Sequence, residues 1–326
     1  MKIDFVVPWV DGSDPEWQKE YSKYSNKPIA PERYRDWGTF PYWFRAVEKY
    51  APWVNKVHLI TCGQVPVWLN TEHPKLNLVF HEDYIPHEWL PTFSSHPIEL
   101  NLHRIPELSE HFVYFNDDFF LGAPCTERDF FYKELPCDQA ITTFYDMNGA
   151  GVSFFYTISN VISVINQHFP KHQVIRENPF GWFNLKYGKR FFYNLYCIPL
   201  DWFPGLHIHH MAQPFLKSTF EEVWKKEKNL LEEVSGHRFR EHMDVNQYLM
   251  RFWALCSGKF SPGKISKGGF YSPGGDKKRV ENWFTSQSKK LICINDTEID
   301  FDIDAEIKFL QELLARVFPE KSSFEK

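Results

Sequence analysis

The first 120 residues alternate short apolar runs with longer segments whose apolar positions recur at helical spacing. Residues 3–9 read as a strand, 39–50 as a helix, 56–61 and 76–81 as strands, 97–108 as a helix and 112–115 as a strand. That rhythm predicts an α/β sheet with crossover connections. Pro97 falls in the first turn of its helix, where a missing N–H costs nothing, with Ser95 or His96 as the cap. Beyond residue 125 the pattern dissolves into aromatic clusters such as Phe154-Phe155-Tyr156 and Phe191-Phe192-Tyr193, and no topology is assigned up to residue 205. A polar helix is predicted over 219–233, an amphipathic one over 244–255 and a Gly-rich loop over 257–275. A strand follows at 291–294, then a helix over 305–318 with Ile307, Leu310, Leu314 and Val317 on one face. The chain therefore reads as one catalytic unit, with an α/β half over 1–125, a more helical part with the Gly-rich loop over 126–290, and a strand and helix over 291–326 that return to the sheet.

Open α/β sheets bind ligands at the carboxyl ends of their strands. Here each such end is polar. The first strand runs into Asp11-Gly12-Ser13-Asp14, the second into Gly63-Gln64, the third into Glu82-Asp83 and the fourth into Asn116-Asp117-Asp118. Their convergence on one edge predicts the site.

Composition narrows the chemistry. With 43% hydrophobic and 24% charged residues the chain is an ordinary globular one. Its net charge of −5 argues against a general nucleic-acid binder, so any phosphate chemistry must be local. The unusual figure is 58 aromatic residues, 18% of the chain, which fit heavy cores or flat faces for sugar and uracil rings. The six cysteines show no CxxC spacing and are expected to be reduced, buried thiols. The opening Met1-Lys2-Ile3-Asp4 lacks a signal-peptide layout, which predicts a cytoplasmic protein. The uncharged stretch 147–167 is interrupted by Asn148, Ser153, Thr157, Ser159, Asn160, Ser163 and Asn166, too many polar groups for a membrane span.

Asp117 and Asp118 directly after an apolar strand are suited to holding a divalent cation against a diphosphate, although Asn and Asp are also ordinary turn residues. Asp11-Gly12-Ser13-Asp14 adds two more carboxylates and a glycine that permits close approach. His207-Ile208-His209-His210 lacks zinc-helix spacing and suits a general base instead. Arg238 and Arg240 could pair with phosphate oxygens or remain solvated. The segment Gly258-Lys259-Phe260-Ser261-Pro262-Gly263-Lys264-Ile265 imitates a phosphate loop but has Ile265 in place of the metal-binding hydroxyl and follows a helix. It reads as a mobile lid, with Lys264 or Lys267 to reach a phosphate.

These segments resemble the Stealth family, hexose-1-phosphate transferases of bacterial capsule and cell-wall polysaccharides that include the animal lysosomal-enzyme GlcNAc-1-phosphotransferase. Residues 3–15 are similar to the first of its four conserved regions. The second runs from Arg35-Asp36 through Ala51-Pro52-Trp53-Val54, Gly63-Gln64-Val65-Pro66 and Leu90-Pro91-Thr92-Phe93-Ser94-Ser95 to Asn116-Asp117-Asp118. The third resembles His207-Ile208-His209-His210-Met211, with His209 in the proline position of HxPH, and Arg238-Phe239-Arg240; the fourth resembles Cys293-Ile294-Asn295-Asp296. The resemblance implies a Rossmann-like, GT-A-like sheet with an additional mostly helical part. It implies transfer of a hexose-1-phosphate or N-acetylhexosamine-1-phosphate from a UDP-sugar to a glycan hydroxyl, with release of UMP. In that scheme Trp9, Asp11, Gly12, Ser13, Asp14, Arg35, Gln64 and Asn116 bind the nucleotide, and Asp117 and Asp118 hold Mg2+ or Mn2+. His210 or His207 is the base, and Arg238 or Arg240 stabilises the transition state. A lipid-linked acceptor and peripheral contact with the inner face of the membrane are expected, and no nucleic acid. Trp9, Trp37, Trp53, Trp68 and Trp89 are the candidate ring platforms. The competing readings are a metal-dependent GT-A glycosyltransferase releasing UDP and a glycan-binding protein without turnover.

Overall fold

The computed structural model describes residues 1–26, 28–29, 34–145, 152–263, 268–296 and 301–326. Its strands in chain order are β1 (Ile3–Pro8), β2 (Val57–Thr61), β3 (Leu76–Phe80), β4 (His111–Tyr114), β5 (Phe119–Leu121), β6 (Phe131–Tyr132) and β7 (Leu135–Asp138). They are followed by β8 (Gln213–Leu216), β9 (Ser261–Pro262), β10 (Gly269–Tyr271) and β11 (Leu291–Ile294). The central sheet has the order β3-β2-β1-β4-β8, with β1 to β4 parallel and β8 antiparallel at the edge.

The α/β expectation holds for a physical reason visible in β1. A parallel sheet is covered on both faces, so its strands read as continuous apolar runs. Successive side chains alternate: Phe5 and Val7 join the core around Trp43, Phe44 and Phe115, while Val6 joins Ile60 and Phe112 on the other face. The helix Phe40–Tyr50 covers the first face by burying Phe40, Trp43, Phe44, Ala46, Val47 and Tyr50. One buried charge, Asp4, ties three segments together by accepting from Asn55 Nδ2 (2.7 Å), His58 Nε2 (3.0 Å) and the Ser109 N–H (2.8 Å).

A second sheet, β10-β11-β5, abuts the first, with β11 antiparallel to β5. Because β5 begins one residue after Asp118, this pairing brings Cys293 and Asp296 beside the acidic loop. The helix Ile303–Val317 buries Leu310, Leu313 and Leu314 in the Trp43 core.

Several sequence expectations are corrected. The helix expected over 97–108 runs only from Ser95 to Leu100 and gives way to a 3-10 turn at Leu102–Arg104. Its cap is Ser94, whose Oγ accepts from the His96 N–H at 3.3 Å, and Asn101 Nδ2 takes the Pro97 carbonyl at 2.8 Å where the helix stops. The polar helix divides at Glu227 into Lys217–Lys226 and Lys228–Ser235. The helix expected over 244–255 begins at Tyr248, and all nine residues of Tyr248–Cys256 are buried, so it is a core helix and not an amphipathic one. It packs against Val152–His168, in the stretch left unassigned from sequence. The 257–275 segment contains β9 and β10; Lys264 and Lys267 lie outside the described residues. All six cysteines are unpaired, with Cys62 exposed. Among the described residues, no helix is long and apolar enough to cross a membrane.

Candidate active site

At the carboxyl edge of β1 and β4 a cavity of about 440 Å³ is lined by Trp9, Arg35, Asn116, Asp117, Asp118, His210 and Arg240 among the expected site residues. Asn116–Asp118 form the tight connection between β4 and β5. The Asn116 carbonyl accepts from the Phe119 N–H at 3.1 Å, and the Asp118 carbonyl accepts from the Ile294 N–H at 2.9 Å. Strand geometry thus holds the acidic pair at the cavity floor. Surrounding protein, the adjacent Asp118 charge and Asp36 push the Asp117 carboxyl up to about 7. Burial, with a smaller contribution from Asp11, also raises Asp36, which lines the same cavity.

The loop after β1 is engaged with itself. Asp11 Oδ1 accepts from the Ser13 N–H (2.9 Å) and Oγ–H (2.6 Å), and Asp14 Oδ1 caps the helix Pro15–Tyr24 by accepting from the Glu16 N–H at 2.9 Å. Gln64 clamps the loop: its Oε1 accepts from the Asp11 N–H, and its Nε2 donates to the Asp11 carbonyl and to Asp14 Oδ2, each at 2.9 Å. A Cβ on Gly12 would stand 2.5 Å from the Tyr34 carbonyl oxygen, so the glycine admits a neighbouring backbone. None of Asp11, Gly12, Ser13, Asp14 and Gln64 lines the cavity; together they hold the turn that presents Trp9, whose ring stacks on Phe40. Trp37 also lines the cavity, whereas Trp53, Trp68 and Trp89 pack against the cores.

The three histidines separate clearly. His207 meets Arg190 through Nε2; burial first, then the Arg190 and Arg251 charges, press its pKa down to about 3, and it does not line the cavity. His209 lies over Asp138 at 3.7 Å and is lowered to about 4 by burial and Arg251. His210 alone of the three reaches the cavity, its Nε2 3.6 Å from Asp118 Oδ2 and its ring edge-on to Phe119. The stretch is fixed from behind by the buried helix Tyr248–Cys256: Tyr248 Oη donates to the His209 carbonyl (2.9 Å), and Arg251 Nη1 to the His207 carbonyl (2.6 Å). Arg251 also forks onto Asp138 with two bonds of 2.7 Å.

The arginines separate as well. Arg240 lines the cavity and donates to Ser95 Oγ at 3.1 Å, whereas Arg238 lies outside it over the Tyr24 ring. Arg35 lines the cavity while paired with Asp296 at 2.7 Å.

Sequence reasoning missed His96. It lines the cavity, and its Nδ1 donates to the buried Asp244 at 2.7 Å; Asp244 accepts a second 2.7 Å bond from His237 Nδ1. Burial alone would raise the Asp244 carboxyl, but these bonds and the Glu241 N–H outweigh it and hold it low. Residues 96 and 244 meet only in the fold, so no local spacing signals the pair.

The donor set suits a hard divalent cation. Asp118 Oδ1 is buried and has no hydrogen-bond partner among the described residues, and Asp118, His210 and Cys293 offer ligand atoms within 4.8 Å of one another. Burial and Asp118 raise the Cys293 thiol, which stays protonated and donates to Asp118 Oδ2 at 3.3 Å, so of these three side chains the carboxylate and the imidazole are the ones that could hold a cation.

Fold and cavity together define an α/β enzyme with its acidic groups at the carboxyl ends of parallel strands. Comparison with known proteins gives the family. The Stealth conserved region 1 matches residues 1–28, and conserved region 2 matches residues 33–138. The capsular polysaccharide phosphotransferase WcwK of Streptococcus pneumoniae is 43% identical over 329 residues, 99% of each chain. The receptor polysaccharide phosphotransferase WefC of Streptococcus oralis is 40% identical over 99% of each chain. The exopolysaccharide phosphotransferase cps2G of Lactiplantibacillus plantarum is 39% identical over 99% of this chain and 96% of its own. A crystal structure of the galactosyltransferase LgtC with donor and acceptor sugar analogues aligns over 96% of this chain and 95% of its own, at 9% identity and a TM-score of 0.41. The chain belongs to the Stealth family and is a phosphotransferase.

Proposed function

We propose that the enzyme transfers a hexose-1-phosphate or N-acetylhexosamine-1-phosphate unit from a UDP-sugar to a hydroxyl of a polysaccharide repeat. The observation that carries this reading is the acidic pair Asp117-Asp118 beside His210 in one cavity, in a chain whose relatives are named polysaccharide phosphotransferases. The acceptor oxygen attacks the phosphorus that bears the sugar. The bond from that phosphorus to the oxygen bridging the uridylate phosphate breaks, and UMP leaves with the electron pair. His210 takes the hydroxyl proton, and the sugar C1–O bond is untouched, so anomeric configuration is retained. Asp118 and Asp117 hold Mg2+ or Mn2+, which supplies positive charge to the diphosphate. Arg240 adds a fork for phosphate oxygens, and Trp9 offers a ring face. The acceptor is lipid-linked, which would bring the protein to the inner face of the cell membrane.

One observation favours a second assignment of the base. His210 lies at ligand distance from the Asp118 carboxylate, and His96, oriented by Asp244 as catalytic imidazoles are by a carboxylate, lines the same cavity. In that assignment His210 joins the cation and His96 Nε2 receives the proton. Manganese titration of His210→Gln and His96→Gln distinguishes the two, since only loss of a ligand weakens the metal. The reaction itself is tested by incubation with UDP-sugars, Mg2+ and a glycan acceptor. UMP is the expected nucleotide product; UDP alone would mean attack at the anomeric carbon and an ordinary glycosyltransferase.

A further inference from the structure

Of the large apolar side chains that stay exposed among the described residues, eight of nineteen fall between Phe180 and Trp202. Leu185 is 86% exposed, Phe180 83% and Tyr196 75%, with Phe192, Ile198 and Trp202 beside them in sequence. A soluble surface of this kind marks a binding face.

The segment is firmly built. Trp182, Tyr187, Asn194, Cys197 and Phe203 are buried beneath it. Asn194 accepts from the Thr142 N–H at 2.6 Å and donates to the Ala140 (2.7 Å) and Trp182 (2.6 Å) carbonyls. The buried Lys171 ammonium holds the far end by donating to the carbonyls of Cys197, Ile198 and Leu200. Its apolar side chains are therefore displayed by a packed scaffold.

Charge identifies the occupant. In a chain of net charge −5, this stretch carries exposed Lys186, Lys189 and Arg190 against the single acid Asp201. Lysine is depleted in protein–protein interfaces, whereas aromatic side chains interleaved with lysine and arginine are the composition of elements that lie in a membrane interface. We propose that the 180–202 face docks on an anionic lipid surface, with Phe192, Tyr196, Leu185 and Phe180 entering the headgroup boundary and Lys186 and Lys189 meeting lipid phosphates. The chain passes from Trp202 directly into the stretch His207–His210, so docking would hold the catalytic cavity beside a lipid-linked glycan; that purpose, though not the docking itself, rests on the proposed reaction.

The test is flotation of the full chain with vesicles of phosphatidylcholine alone or mixed equally with phosphatidylglycerol. The protein should float with the anionic vesicles, and less so as salt rises. Phe192→Ser with Tyr196→Ser, and independently Phe180→Ser with Leu185→Ser, should each lower the bound fraction about tenfold with an unchanged thermal melt. Lys189→Glu should weaken binding at low salt only. Failure of the native chain to float with anionic vesicles, or flotation of both double variants like the native chain, overturns the proposal. So does a solution dimer that the variants dissociate, which would make a second copy the occupant. Turnover of a short soluble acceptor by the double variants should match the native chain, so a failed docking surface and a failed reaction assignment give different results.

Discussion

Replacing Arg251 by methionine should destabilise the protein far more than its remoteness from the cavity suggests. Arg251 and Asp138 are both buried, and the guanidinium makes two 2.7 Å bonds to the carboxylate plus one of 2.6 Å to the His207 carbonyl. Without Arg251, Asp138 keeps its Gln139 N–H and a 3.7 Å approach to His209, too little for a buried charge. Breaking such a pair costs about 3–5 kcal/mol, and the orphaned carbonyl adds about 1–2 kcal/mol. Against a total stability of roughly 5–15 kcal/mol this is a large fraction. Urea unfolding of Arg251→Met, Asp138→Asn and the double variant measures it. Arg251→Met should lose at least about 3 kcal/mol. The double variant, which buries no uncompensated charge, should lose less than the sum of the singles. A loss under about 1 kcal/mol in Arg251→Met, or strict additivity, would refute the claim that this pair holds the histidine stretch in place.

Three further outcomes follow from the geometry. Asp118→Asn should reduce turnover roughly 10²–10³-fold, and Mn2+ should raise the melting temperature of the native chain but not of this variant. Since a proton must leave Asp117 for a cation to bind, metal affinity should fall as pH drops through about 7; a metal-induced shift retained in Asp118→Asn would remove the aspartate from the site. His207→Gln, at a histidine paired with Arg190 outside the cavity, should keep turnover within about threefold, while His210→Gln and Asp118→Asn both fall by at least about 10²-fold; the reverse order would exchange the roles. Asp4, Asp138 and Asp244 all have carboxyls held below their ordinary value by hydrogen bonds and charges that outweigh burial. Their stabilisation is present above the unfolded value and lost as pH falls through the folded ones, so the native chain should unfold on acidification below about pH 4. Asp244→Asn should show a shallower acid transition in a pH series of thermal melts, and an unchanged transition would count against its role.

How much of the site could be read from sequence depended on whether the signal was local. The parallel strands were legible because burial on both faces makes them continuous apolar runs, and the acidic loop was legible because it follows such a run directly. The loop at 11–14 has a similar composition and a structural use for it. Asx turns and helix caps draw on the residue types that ligand loops use, and here Asp11 and Asp14 accept from nearby backbone N–H groups, the Ser13 hydroxyl donates to Asp11, and Gly12 admits Tyr34. His96 was illegible because its partner Asp244 lies 148 positions away. The unreadable stretch around 180–202 has a further cause. Periodicity identifies elements by assuming that apolar residues point inward, and in this segment Trp182, Tyr187 and Cys197 do so while Phe180, Leu185, Phe192 and Tyr196 are exposed and the polar Asn194 is a buried anchor. With apolar side chains on both the inner and the outer face, no single period emerges from the sequence. The exposed set is the one proposed to meet an anionic lipid surface, and that same exposure is what hides the segment's elements from a reading of periodicity.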